Sequence, residues 1–162
     1  MRAVLVLLLV VHMGGIALAQ GQPAPAAERD AVLKTVQAFF DTMAARDVAG
    51  ARRTLMAEGR LFAVRQQDGK TVTRTVTNEE YLKDLAGIKP ARRERIWNPD
   101  VRIRGVIATL WTPYDFWIDG KFSHCGVDAF DLIKTDEGWK IAGGAYTVEA
   151  KCDPSPLGPL KQ

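Results

Sequence analysis

The hydrophobic pattern changes period along this chain. Val32, Val36, Phe39, Phe40 and Met43 follow one another at spacings of four, three, one and three, so 28–46 is predicted to be one helix with an apolar stripe. Asp47 then caps a second, short helix that runs to about Met56. Leu61, Phe62 and Val64 read as a strand, Gln67-Asp68-Gly69-Lys70 as a turn, and 71–76 as the return strand. Thr77-Asn78-Glu79-Glu80 opens a third helix with Tyr81, Leu82 and Leu85 on its apolar side, and Gly87 and Pro90 close it. Beyond Pro90 the pattern is strand-like throughout. An extended stretch over 93–103 is interrupted at Asn98-Pro99, and strands follow over 106–118, 121–135 and 139–149. Asp119-Gly120 and Asp136-Glu137-Gly138 supply the turns between them.

Helices first, then a helix between short strands, then long meandering strands make an α+β domain. Its expected form is a curved antiparallel sheet wrapped around the N-terminal helices. The helix VLKTVQAFFDTMAARD and the block ATLWTPYDFWIDGKFSHCGVDAFDLIKTDEGWKIAGGAYTV carry a resemblance to the nuclear transport factor 2-like, or SnoaL-like, superfamily. Within it, the second block is similar to exported bacterial proteins labelled putative lumazine-binding. The resemblance spans about 28–150 and implies a cone whose bent sheet leaves a pocket. It does not imply one chemistry, because the superfamily hosts isomerases, dehydratases, cyclases and binding modules alike.

The ends of the chain bear on compartment. Arg2, an apolar run over 3–11 and Ala17-Leu18-Ala19 form a signal-peptide pattern, too short and too interrupted to span a bilayer. Residues 1–19 are therefore expected to be removed, with 20–27 as a flexible leader, 28–152 as the domain and 153–162 as a proline-rich tail. Export to the periplasm or the medium follows, with no stable membrane anchor after cleavage. In an oxidising compartment Cys125 and Cys152 are expected to pair. Register puts Glu149 across from Cys125, so the chain must turn back through Ala150 and Lys151 for the bridge to close.

Charge adds little. The formal balance of +3 and the run Arg92-Arg93-Glu94-Arg95 fit the solvated side of strands better than a nucleic-acid surface. One histidine beyond the leader, and no CxxC pair, argue against a metal. No cofactor is indicated.

A candidate site comes from the two turns. A two-residue turn at Asp119-Gly120 sets Asp115 opposite His124 and Trp111 opposite Asp128. A three-residue turn at 136–138 sets Asp128 opposite Tyr146. One face then collects Trp111, Asp115, His124, Asp128, Phe130 and Tyr146, with two carboxylates and an imidazole among aromatic rings. Asp115 is expected to raise the His124 pKa, and Pro113 marks the place where a bulge would flip the parity. Trp97, Trp117, Trp139, Phe39 and Phe40 are read as core. The leading expectation is a non-catalytic domain that binds a small molecule or a partner. The alternative is a small lyase or isomerase using His124 or Asp128 as general base, by analogy with dehydratases and ketosteroid isomerases of this fold. A homodimer through the sheet is the third reading.

Overall fold

The computed structural model describes residues 25–153 and 155–160. The expected signal peptide and residues 20–24 of the leader lie outside the described residues. Helix α1, Ala26–Ala45, starts two residues inside the segment read as leader. Arg46, with φ +57°, ends it in the left-handed region. The Asp47 side chain accepts from the Gly50 N–H to start α2, Val48–Thr54. Strands β1, Leu55–Gln67, and β2, Lys70–Thr77, form a hairpin that runs straight into α3, Asn78–Gly87. That helix opens on a reciprocal capping box between Thr77 and Glu80. β3, Arg92–Ile96, and β4, Asp100–Arg104, lie end to end beside β5, Ile107–Ile118. β6, Lys121–Thr135, and β7, Gly138–Thr147, complete the meander.

The seven strands form one open sheet in the order β2-β1-β7-β6-β5-β3, with β4 also paired to β5. The sheet is not wholly antiparallel as expected, because β1 and β7 run parallel. The sheet curls around α1, whose Val32, Val36, Phe39, Phe40 and Met43 are all buried among Leu110, Phe130, Leu132 and Ile141. The predicted stripe is therefore the core face. Gly144 belongs to this packing: a Cβ there would stand 2.8 Å from the Phe130 ring, so the ring lies on β7 only because the side chain is missing. Among the described residues no helix is long and apolar enough to cross a membrane.

Two bulges control which side chains enter the concave side. The Asp119-Gly120 hairpin starts as expected, with Ile118 opposite Lys121. The register then slips between Phe116 and Trp117, placing Phe116 opposite His124 and Asp115 opposite Cys125. In the next hairpin Thr135 pairs with Gly138, not Trp139, so the turn is one residue shorter than expected. A second slip between Asp131 and Leu132 restores Asp128 opposite Tyr146. Pro113 causes no bulge. Its carbonyl accepts from Trp97 N–H, so its missing N–H faces the break between β3 and β4, where no strand partner stands opposite it.

Just beyond the end of β7, Cys125 and Glu149 exchange both backbone hydrogen bonds, at 3.1 and 2.9 Å, as an isolated bridge. The chain turns back and Cys152 is joined to Cys125, with Cα atoms 6.3 Å apart. Closing a loop across 27 positions stabilises by about 3.5 kcal/mol in the chain-entropy model. Urea unfolding with and without reductant should recover a loss of that order; an unchanged midpoint would mean the bridge constrains nothing.

Candidate functional site

The concave side holds a cavity of about 670 Å³ between α1, α3 and the strands. That volume lies within the range of small-molecule sites. Even-numbered residues of β5 and β6 supply much of the wall, because alternation sends Tyr114, Phe116 and Ile118 inward together with His124, Asp128 and Phe130. Phe39 from α1, Tyr81 from α3 and Tyr146 from β7 add further rings. Tyr114 stands edge-on to Tyr146 at 6.5 Å, and its hydroxyl donates to the Thr147 carbonyl at 2.6 Å, which fixes that wall.

The polar centre is a pair of carboxyls. Asp128, on β6, is 1% exposed. Glu94, on β3, reaches the same spot and is half-buried, its accessible surface opening into the cavity. The two are within hydrogen-bonding reach of each other. Burial pushes the Asp128 carboxyl up to about 7, against a smaller opposing effect of the hydrogen bond with Glu94. Burial, then the negative charge of Asp128 and the hydrogen bond with it, push Glu94 well above the usual carboxylate range. The pair therefore titrates as a unit and holds a proton near neutrality. Asp128 Oδ2 and Tyr81 OH are buried without a hydrogen-bond partner among the described residues. Burial, and next the charge of Glu94, raise the tyrosine pKa at Tyr81 and at Tyr146.

A family model described as "Putative lumazine-binding" matches residues 27–147. The chain belongs to that family. Solved structures agree on the fold. A Nostoc punctiforme protein of unknown function with a cystatin-like fold superposes with a TM-score of 0.63 at 13% identity, covering 83% of this chain and 98% of that one. A nuclear transport factor 2-like superfamily protein from Salmonella enterica gives 0.60 at 12% identity, over 78% and 94% of the two chains. A nuclear transport factor 2-like protein from Cytophaga hutchinsonii gives 0.59 at 18%, over 74% and 97%. At such identities the likeness concerns the fold. No curated protein matches the chain.

In this chain His124, Asp128, Phe130 and Tyr146 all face the cavity. Trp111 and Asp115 do not, which corrects the expected face. The slip beside Trp117 exchanges the two sets of β5 side chains, so odd-numbered residues point to the convex side. Trp111 is 58% exposed there, in a shallow groove with Phe62, Thr109 and Asp131. Asp115 is buried against Arg95, its cross-strand neighbour, instead of His124. Glu94 was not among the expected site residues. The signal was its parity with Ile96, which places both on the apolar side of β3. Among the described residues no cluster of three metal-ligating side chains occurs.

His124 stacks on Phe116, ring centroids 4.7 Å apart. Its pKa is lowered rather than raised: burial disfavours the imidazolium, and Arg65 adds to that. The sign is set by this depression. The contribution of His124 is present above the unfolded value of about 6.5 and is lost as pH falls through the folded one. In an NMR titration Arg65→Gln should raise the His124 pKa and Asp115→Asn should leave it in place. A rise on Arg65→Gln is the deciding sign; a fall would refute the assignment.

Proposed function

We propose that the chain binds a small planar heteroaromatic molecule within the cone, with lumazine the class its family name puts first, and that it does so without converting it. The observation that carries this reading is the pair of desolvated carboxyls, Glu94 and Asp128, set among aromatic walls. A carboxylic acid beside a carboxylate offers one donor and one acceptor, the complement of a lactam edge with its N–H and C=O. Phe39, Phe130, Tyr114 and Tyr146 offer ring surface to the faces of such a molecule. The reading includes export. A Cys125–Cys152 bridge is compatible with an oxidising compartment, and the Ala17-Leu18-Ala19 pattern supports removal of 1–19.

Fluorescence titration with lumazine and related pteridine and flavin rings tests the binding. Saturable binding should weaken about 5- to 100-fold in Asp128→Leu, where one polar contact is lost and a ligand group is left unpaired. It should vanish in Ala63→Trp, which fills the cavity. No saturable binding by wild type, or equal binding by the filled variant, would sink the proposal.

A second reading rests on the same pair. A carboxyl poised near neutral pH is a competent general base, so Asp128 could abstract a proton from a bound substrate in a small lyase or isomerase. Turnover lost in Asp128→Asn while binding is kept would favour this reading over simple binding.

A further inference from the structure

We infer that the ligand of the cone carries an anionic group, a carboxylate, phosphate or sulfonate, which rests at the mouth on Arg65, Arg74 and Arg92; this rests on the binding reading above. The three arginines line the cavity from β1, β2 and β3. Arg74 lies opposite Ala63, and Arg65 opposite Val72, so the two are diagonal neighbours on the inward face of one hairpin. Arg92 stands opposite Ile118 at the far end of the sheet, across the opening. Their charges converge on the cavity's rings: Arg65 and Arg74 both act on Tyr146, and Arg92 acts on Tyr81.

Among the described residues Arg65, Arg74 and Arg92 form no ion pair, as is also true of Arg29, Arg46, Arg60, Arg93 and Arg104, whereas Arg52, Arg53, Arg95 and Arg102 each have a carboxylate within 4 Å. What sets the three apart is that they line one cavity together. Arg92 Nε is buried and has no hydrogen-bond partner there. A buried guanidinium N–H without an acceptor is unfavourable, and so is a convergence of like charges. One anion relieves both. Lys83 and Asp84, the other charged groups of the rim, offset each other, and the carboxyls deeper in the cone are partly neutralised by the proton they share. The cavity is therefore polarised, with an acid able to donate at depth and guanidinium forks at the mouth. Guanidinium forks hold carboxylate, phosphate and sulfonate oxygens in pairs. An aromatic head inserted first and an anionic tail left at the opening would satisfy both ends.

The test uses two dyes on the exported chain: anilinonaphthalene sulfonate, and N-phenyl-naphthylamine, which has the same rings without the sulfonate. Both brighten in apolar cavities, and Ala63→Trp establishes that they enter this one. The sulfonate dye should bind about tenfold more tightly, as one charge-assisted contact allows. That advantage should shrink with added salt. In the double variant Arg65→Gln, Arg92→Gln it should disappear while the neutral dye binds as before. Arg102→Gln, which removes a charge from the convex side, should leave both dyes unaffected. Equal affinity of the two dyes for wild type would overturn the anionic mouth and leave the binding reading standing. An advantage that survives the double variant would do the same. Loss of both dyes in the double variant would assign the arginines a structural role. Failure of both dyes to enter wild type would overturn both readings.

Discussion

Asp128→Asn should stabilise the protein relative to wild type, and by about 2–3 kcal/mol more at pH 8 than at pH 5. The carboxyl of Asp128 is raised from an ordinary value near 4 to about 7 because the folded core disfavours its charge. A raised folded pKa gives stability that is complete below the unfolded value of about 3.9 and is lost as pH climbs through the folded one. Above pH 7 the wild type must hold a buried charge beside Glu94. Between pH 5 and pH 8 the loss is on the order of 2–3 kcal/mol for Asp128 alone, with Glu94 acting in the same direction. Asparagine keeps the shape and cannot ionise. Urea midpoints at pH 5 and pH 8 for both proteins settle the matter, and comparing variant with wild type cancels His124, which is present in each. A wild type as stable at pH 8 as at pH 5 would show that the carboxyls are not desolvated as described.

The second large effect lies on the opposite face of the sheet. Asp115 is 2% exposed and takes two hydrogen bonds from Arg95, Nε to Oδ1 at 2.9 Å and Nη2 to Oδ2 at 2.5 Å. The guanidinium also donates to the Gly158 carbonyl at 2.7 Å and lies 5.3 Å from the Trp117 ring. The C-terminal segment and a tryptophan thus help to enclose the pair. Asp115→Ala leaves Arg95 enclosed with its charge unanswered, and such losses run to about 3–5 kcal/mol. For a domain of this size the melting temperature should fall by roughly 10 °C. Adding Arg95→Met to Asp115→Ala should recover most of the loss, because no unpaired charge then remains. A single variant that melts within a degree or two of wild type would show the pair to be solvated.

Much of this was legible in the residues. The spacing of Val32 to Met43 gave the core helix, Thr77-Asn78-Glu79-Glu80 gave a capped start, and Asp119-Gly120 gave a hairpin. Those features are local, and each is dictated by a few neighbouring residues. The site was legible only on β6 and β7. Asp128 and Tyr146 meet as expected, although through two departures that cancel: a turn one residue shorter, and a slip beside Leu132. On β5 a single slip was enough to misplace Trp111 and Asp115 and, with them, the partner expected for His124. Nothing in Lys121-Phe122-Ser123-His124 announces that slip, since it has neither the glycine nor the proline that usually punctuates a strand. Pro113, the residue that did carry a warning, sits where its missing donor faces a break. Glu94 was hidden by composition: among three arginines it read as one more solvated charge, when its side of the strand was the same as that of Ile96.

The parallel pairing of β1 with β7 also governs the order in which the molecule can assemble. Hairpins β1–β2 and β5–β6 close over short loops, but Leu55 meets Ile141 and Val64 meets Thr147 only after more than half the chain has been made. Closing so long a loop is slow and entropically costly, and it precedes any gain from the contacts it creates. Until β7 arrives, β1 has an open edge, and Tyr146 is missing from the wall around Asp128. The cavity is therefore the last part of the protein to come into being. A chain cut short before Ile141 would have its helices and most of its hairpins and still lack a place for a ligand.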